Sequence, residues 1–97
     1  MTHQTVFLHL AVDYLQVKKD AWYLDATFGG GGHSLEILSR GGKVLAFEYD
    51  SVTYEQIKPS FQEFIDRGRL ILLNQNFAKL QKVVAALPEF ASDFRFA

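Results

Sequence analysis

Cysteine is absent from this 97-residue sequence, as are long hydrophobic runs. The lack of cysteine excludes disulfide scaffolds, thiolate zinc sites and cysteine nucleophiles. No apolar run reaches the roughly 18 residues that a membrane-spanning helix requires, and the amino-terminal residues lack the pattern of a signal peptide. We therefore expect a soluble, cytoplasmic protein without a membrane partner.

An excess of basic charge is also missing, because ten Lys and Arg residues face eleven Asp and Glu residues for a net charge of -1. A protein that binds nucleic acid mainly through its phosphates carries a basic surface, so an RNA or DNA partner must be inferred from other features. The hydrophobic fraction of 48% and the aromatic fraction of 14% are typical of a packed globular chain. The length fits one domain, residues 1–97.

Short apolar runs alternate with segments of helical spacing along the chain. The predicted strands are residues 22–26, 43–48 and 69–74. The predicted helices are residues 5–17, 33–40, 50–66 with a kink or a break at Pro59, and 78–87. Parallel strands need crossover connections of this length, so the pattern predicts an α/β fold with a parallel sheet in the order 3-2-1 and ligands at the carboxyl ends of its strands. No fourth strand is predicted, which leaves one edge of the first strand open.

The strongest local feature is DATFGGGGHS at residues 25–34, a strand end followed by a glycine loop and a helix start. Glycines adopt positive φ and allow a ligand to approach the backbone, while the first N–H groups of a helix can bind a carboxylate or phosphate. A flexible linker is the alternative, but it is not expected between a strand and a helix. The dinucleotide fingerprint fits imperfectly because Ser34 occupies the third small position, and no Gly-Lys-Ser/Thr is present for a phosphate-binding P-loop.

Two side chains at the ends of the other strands favour a nucleoside ligand. Glu48 ends the second strand, where an acid can accept hydrogen bonds from both ribose hydroxyls; helix capping and solvation are the alternative. Phe77 follows the third strand, where its ring can pack beside an adenine or anchor the last helix in the core. Both roles of Phe77 remain open at this point.

Four segments, HQTVFLHLAVDYL, YLDATFGGGGHSLEILS, KVLAFEYD and NQNFAKL, together resemble a known family over about residues 3–80. They resemble the amino-terminal part of the S-adenosylmethionine-dependent small-subunit ribosomal RNA cytosine N4-methyltransferases. The resemblance implies a class I methyltransferase (Rossmann-like) fold, S-adenosyl-L-methionine as cofactor, and methyl transfer to the exocyclic amine of a cytidine in ribosomal RNA of the small ribosomal subunit. It further implies that Gly31, Gly32 and His33 bind the methionine end of the cofactor, Glu48 the ribose, and Phe77 the adenine region.

The sequence departs from that family in three respects that affect function. In the opening helix the family pattern V-L-L-x-E has an acid where this chain has Leu10, so any polar role of that acid is absent. The family usually has Asp where this chain has Glu48, a change that is expected to weaken ribose binding without abolishing it. The family also continues past the third strand into segments that complete the cofactor and RNA contacts. We therefore expect a truncated half of the domain with about three strands, inactive by itself, and we assign no catalytic residue and no metal site.

Two further functions remain as alternatives. The chain can be a non-catalytic nucleotide-binding module, which the missing third glycine argues against. It can also be an interaction protein in which the open edge of the first strand pairs with another chain, for instance in a homodimer. In that case the aromatic tail, with Phe90, Phe94 and Phe96, covers the edge or joins the interface.

Overall fold

A computed structural model describes residues 16–86 and 95–96 of the chain. The predicted opening helix, residues 5–17, lies outside the described residues except for its last two positions, which are not helical. Phe90 and Phe94 of the aromatic tail also lie outside them. Among the helices in the described part, none is long and apolar enough to cross a membrane.

Four strands form one parallel sheet with the order β3-β2-β1-β4. They are β1 (Trp22–Asp25), β2 (Lys43–Phe47), β3 (Leu70–Leu73) and β4 (Arg95–Phe96). The three predicted strands and their 3-2-1 order are confirmed, each strand being one or two residues shorter than predicted. The prediction that no fourth strand follows is wrong, because β4 pairs with β1 on the side away from β2. Two residues are too few to give a period, so the sequence carries no signal for β4.

Helices connect the strands as the sequence predicts, with one break. They are α1 (Gly32–Ser39), α2 (Ser51–Ile57), α3 (Gln62–Asp66) and α4 (Leu80–Ala86). A 3₁₀ turn, Lys58–Phe61, separates α2 from α3 and contains Pro59. Proline has no N–H to donate and its ring clashes with the preceding turn, so the predicted segment forms two short helices rather than one kinked helix.

Helix α1 ends where the glycine pair predicts. Gly41 has φ +90°, its N–H donates to Leu38 O at 3.1 Å, and the Gly42 N–H donates to Ile37 O at 3.0 Å. This is the pattern of a left-handed helix end that satisfies the last carbonyls. The chain is thereby turned directly into β2.

Apolar side chains cover both faces of the sheet, alternating along each strand as the pleat requires. The first face, packed under α1 and the α2–α3 segment, buries Tyr23, Phe28, Ile37, Leu38, Val44, Ala46, Phe61, Leu70 and Leu72. The second face, packed against α4, buries Leu24, Leu45 and Phe47. Burial on both faces fixes the register between neighbouring strands. It therefore also fixes where the carboxyl ends of the strands lie.

Arg69, just before β3, hydrogen-bonds to the loops that precede β1 and β2 at the opposite, amino-terminal end of the sheet. Its guanidinium donates to the carboxylate of Asp20 and to the carbonyl of Gly41, with 28% of the side chain exposed. We expect Arg69→Lys to lower the free energy of unfolding by about 1–2 kcal/mol, because an ammonium cannot make both charged hydrogen bonds in this fork geometry. Arg67→Lys is the matched control, since the Arg67 side chain forms an exposed pair with Glu63. This variant is expected to change stability by less than about 0.5 kcal/mol. Urea unfolding of both variants measures the difference, and equal losses would contradict the prediction.

Candidate functional site

The carboxyl ends of β1, β2 and β3 meet at one edge of the sheet and surround a small cleft. Its volume is about 280 Å³, near the lower end of the roughly 300–1,000 Å³ typical of small-molecule sites. Its lining residues are Ala26, Thr27, Phe47, Glu48, Tyr49, Gln75, Asn76 and Phe77. Two of the five predicted site residues, Glu48 and Phe77, therefore lie in one cleft, and the glycine loop adjoins it through a hydrogen bond to Glu48.

Gly31, Gly32 and His33 form the start of α1. Gly31 is the N-cap with φ +83°, and a Cβ built there would lie 2.5 Å from Cζ of Phe61 and 3.0 Å from Cζ of Phe28. Gly32 begins the helix, and the side chain of His33 is exposed on its first turn. The structure therefore gives Gly31 a packing requirement in addition to the ligand role that the resemblance implies.

Glu48 bridges two neighbouring loops with its carboxylate. Oε1 accepts a hydrogen bond from the Gly29 N–H at 2.9 Å, and Oε2 accepts one from the Asp50 N–H at 2.9 Å. The backbone of Glu48 continues the ladder with β3, because its N–H donates to Leu73 O at 2.8 Å. Its side chain is half-buried at the cleft wall, so it is neither free in solvent nor a helix cap. The helix cap of α2 is Asp50, whose Oδ1 accepts from the Val52 N–H at 2.9 Å.

The loop between β2 and α2 is fixed by a side chain that follows β3. Asn74 donates from Nδ2 to the carbonyls of Glu48 and Tyr49 at 2.9 and 3.2 Å, and its Oδ1 accepts from the Ser51 hydroxyl at 3.0 Å. The ring of Tyr49 remains 74% exposed beside the cleft. A second, polar hollow of about 600 Å³ adjoins it, lined by Tyr49, Asp50, Ser51, Asn74, Gln75 and Asn76. The cleft is thus open on this side toward polar groups.

Phe77 contributes to both the cleft and the core. Its ring stands edge-on to Phe47 at 5.4 Å between centroids and packs against the second face of the sheet. It is only half-buried, so part of the ring remains available at the cleft wall. Asn76 before it caps the 3₁₀ turn Phe77–Lys79, accepting from the Ala78 N–H at 2.9 Å. The two roles left open by the sequence are therefore compatible.

A buried pair beneath the glycine loop was not predicted from the sequence. Asp25 ends β1 with 6% of its surface exposed, and its Oδ2 accepts a 2.7 Å hydrogen bond from the hydroxyl of Ser34, which is fully buried in α1. Its Oδ1 accepts from the Thr27 N–H at 3.3 Å. Burial raises the pKa of Asp25, while the bonds from Ser34 and Thr27 oppose that rise. Both side chains belong to the DATFGGGGHS motif, and the polar Ser34 on the inward side of α1 was the available signal.

No three His, Asp or Glu side chains of residues 16–86 lie close enough together to hold a metal ion. The groups that converge at the strand ends are hydrogen-bond donors and acceptors, an aromatic ring and open backbone at the glycine loop. Gly29 and Gly30 have no atom within 4 Å of the position that a Cβ would occupy. A ligand can therefore approach the main chain of the loop directly.

Solved structures share this fold. The Escherichia coli protein yhhF superposes with a TM-score of 0.65 at 24% sequence identity, over 82% of this chain and 44% of that one. TYW2 of P. horikoshii, solved in complex with MeSAdo, superposes with a TM-score of 0.55 at 28% identity, over 67% of this chain and 25% of that one. The predicted Rossmann-like fold of methyltransferases is confirmed.

Two sequence relatives of this chain share the same name. "Ribosomal RNA small subunit methyltransferase H" of Oenococcus oeni is 42% identical over 93 residues, and that of Lactobacillus gasseri is 40% identical over 90 residues. The matches cover 94% and 88% of this chain but only 30% and 29% of the relatives. A family model described as the MraW methylase family matches residues 1–94. The chain therefore belongs to the MraW methylase family.

Proposed function

We propose that this chain is the S-adenosyl-L-methionine-binding part of a methyltransferase that acts on ribosomal RNA of the small subunit. The observation that carries the proposal is the cleft at the strand ends, where the carboxylate of Glu48 contacts the glycine loop and Phe77 lines the same cleft. The family and the names of the relatives support the same reaction class. Because the chain spans under a third of those relatives, the complete activity belongs to a longer protein of this family.

Each part of the cleft suits one part of this cofactor. The carboxylate of Glu48 has acceptor positions for two ribose hydroxyls, and the half-buried ring of Phe77 offers an apolar wall for an adenine. The start of α1 at Gly32 and His33 offers N–H donors for the carboxylate of the methionine end. Gly31 would contribute an open backbone surface there, because its own N–H donates to Phe28 O at 2.8 Å. The donors and acceptors present therefore fit the group.

The proposed substrate is the exocyclic amine of a cytidine, with the small ribosomal subunit as partner and the cytoplasm as location. When bound, the cofactor supplies an electrophilic methyl group on a positively charged sulfur. The role of this chain is to bind and orient the cofactor, because alignment of the reacting atoms supplies much of the rate of a group transfer. The cytosine amine is a poor nucleophile that must lose a proton, and we assign no residue between 16 and 86 to that proton transfer.

The sheet-edge alternative loses its basis at β1, because β4 pairs with that edge through Tyr23 and Leu24. A homodimer built on an open β1 edge is therefore not proposed. The non-catalytic nucleotide-binding alternative differs from the main proposal in ligand preference, so one titration separates the two.

Calorimetric titration with S-adenosylhomocysteine tests the proposal, with NAD as the competing ligand. We expect saturable binding of S-adenosylhomocysteine and none of NAD. Gly30→Asp is the site variant, because Gly30 lies in the loop with no atom within 4 Å of its would-be Cβ. The new carboxylate is expected to repel the carboxylate of the ligand and to lower affinity at least tenfold.

Gly30→Asn is the matched control, because it has the same shape without the charge. We expect it to lower affinity less than threefold. Binding of NAD in preference to S-adenosylhomocysteine would favour the nucleotide-binding alternative. Absence of binding by a chain with a cooperative unfolding transition would refute the proposal.

A further inference from the structure

We propose that Glu48 is a positioning residue whose carboxylate tethers the glycine loop and, resting on the proposed function, accepts the ribose hydroxyls at the same time. In the described structure both carboxylate oxygens already accept backbone N–H groups, one from Gly29 and one from Asp50. A carboxylate has about four acceptor positions. One position on each oxygen therefore remains for a pair of hydroxyls.

The tether acts on a part of the loop that packing does not hold. Phe28 is fixed by burial and by its N–H bond to Phe47 O at 2.9 Å. Gly29 follows with φ +55° and with no atom within 4 Å of a would-be Cβ. Gly30 is equally open and donates no backbone hydrogen bond within residues 16–86. The Gly31 N–H closes a turn on Phe28 O at 2.8 Å, so both ends of the loop are held. Between those ends, the bond from the Gly29 N–H to Glu48 is the contact that fixes the tip of the turn within residues 16–86.

The extra methylene of glutamate, compared with aspartate, allows the carboxylate of Glu48 to reach the Gly29 N–H. The contact with Asp50 joins residues two apart, a geometry that a shorter Asp side chain makes readily. The contact with Gly29 joins residues 19 apart, in the loops that follow β1 and β2. Aspartate at this position is shorter by one carbon–carbon bond, about 1.5 Å. It is expected to keep the Asp50 contact and to release Gly29.

An ordered loop matters because it carries the start of α1. A loop that is already fixed loses less conformational entropy when a ligand binds, so the tether raises affinity without contacting the ligand itself. Glu48 then has two separable effects, one on the loop of the free protein and one on the ligand. The first effect can be measured without any ligand.

Amide hydrogen exchange followed by NMR tests the tether in the free 97-residue chain. In the native chain we expect the Gly29 amide to exchange at least tenfold more slowly than the Gly30 amide. In Glu48→Asp the Gly29 amide is expected to exchange within twofold of the Gly30 rate, while the Phe28 amide keeps its protection. Glu55→Asp, the same change at an exposed position of α2, is the control and is expected to leave all three amides unchanged. A Gly29 amide that is unprotected in the native chain, or equally protected in Glu48→Asp, overturns the tether.

The ligand half is tested by repeating the exchange measurement with S-adenosylhomocysteine and by titrating Glu48→Asp. We expect the bound ligand to leave Gly29 protected. The resemblance implies that Asp binds the ribose at least as well as Glu, so a fall of at least fivefold in the affinity of Glu48→Asp is the effect that we attribute to loss of the tether. Loss of Gly29 protection on binding would mean that the ribose displaces the loop, which overturns simultaneous binding. Protection of Gly29 together with no ligand binding refutes the proposed function and the ribose half of this inference but supports the tether.

Discussion

Replacing Gly31 by alanine is expected to lower the free energy of unfolding by about 3 kcal/mol. Two costs contribute. A residue with a Cβ is destabilised by about 1–2 kcal/mol in the left-handed region, where Gly31 has φ +83°. Overpacking a core costs a further 1–3 kcal/mol or so, and the new Cβ would lie 2.5 Å from Cζ of Phe61.

The neighbouring rings cannot move aside easily to accommodate this Cβ. Phe28 and Phe61 are 3% and 5% exposed and pack edge to face with 4.9 Å between ring centroids. Gly30→Ala is the matched control one residue earlier, where φ is not positive and no atom lies within 4 Å. We expect it to leave stability unchanged or to raise it by a few tenths of a kcal/mol, because alanine restricts the unfolded chain.

Urea unfolding of the two variants tests the prediction, and a double-mutant cycle separates its two causes. Phe61→Leu removes the ring atoms that the new Cβ would meet. In that background Gly31→Ala is expected to cost about 1 kcal/mol less, since the backbone strain remains but the clash is relieved. An equal cost in both backgrounds would mean that strain alone explains the effect. Equal stability of Gly31→Ala and Gly30→Ala would contradict the prediction altogether.

The expected loss of stability in Gly31→Ala limits what Gly31 variants can show about ligand binding. A variant that loses its fold loses its ligand as well, so loss of binding on replacement of Gly31 does not identify a ligand contact. The open position at Gly30 is the informative one, because a side chain there changes the loop surface without touching the core.

The main features of the sheet could be predicted from local patterns, because buried parallel strands are short apolar runs and proline breaks a helix wherever it lies inside one. The fourth strand could not. β4 is defined only by its pairing with Tyr23 and Leu24, a contact between residues about 72 apart in the sequence. Contacts of that kind depend on where the chain returns in space, which no local period specifies.

The candidate site also has features that the local sequence predicts and features that it does not. The positions of Glu48 and Phe77 follow from strand ends, which the sequence locates within a residue or two. The partners of Glu48 do not, because the bond to Gly29 depends on the direction of one side chain relative to the loop that follows the neighbouring strand, β1. The burial of Asp25 against Ser34 likewise depends on the chain reversing through the glycine loop to bring residues nine apart into contact.

Ser34→Ala is expected to destabilise the chain by about 2 kcal/mol at pH 7. The hydroxyl of Ser34 is fully buried and donates to Oδ2 of Asp25 at 2.7 Å, and a hydrogen bond to a charged group contributes about 1.5–3 kcal/mol. Removing it leaves that oxygen of a buried carboxyl without its partner. Ser39→Ala is the matched control in the same helix, because Ser39 is exposed and its hydroxyl donates to the carbonyl of Leu35, a neutral group. We expect the control to change stability by less than about 0.5 kcal/mol.

The loss of stability in Ser34→Ala should depend on pH. The shift in the pKa of Asp25 determines whether that loss grows or shrinks as the pH rises. Burial raises the pKa of Asp25 above its ordinary value of 3.8, and the bond from Ser34 limits that rise. An acid whose pKa is raised on folding contributes stability that is fully present below the unfolded pKa and is lost as the pH rises through the folded pKa. Without Ser34 the folded pKa of Asp25 rises further, so the loss of stability in Ser34→Ala grows between pH 4 and pH 7.

Asp25→Asn removes the titrating group while keeping its shape, and it completes this test. An amide can still accept from the Thr27 N–H through its oxygen and donate to the Ser34 hydroxyl through its nitrogen. We expect Asp25→Asn to cost less than Ser34→Ala at pH 7 and to gain stability relative to the native chain as the pH rises from 4 to 7. Urea unfolding at several pH values measures both trends. A pH-independent cost of Ser34→Ala would show that the Ser34 hydroxyl does not change the folded pKa of Asp25, because a change in that pKa is what makes the cost vary with pH.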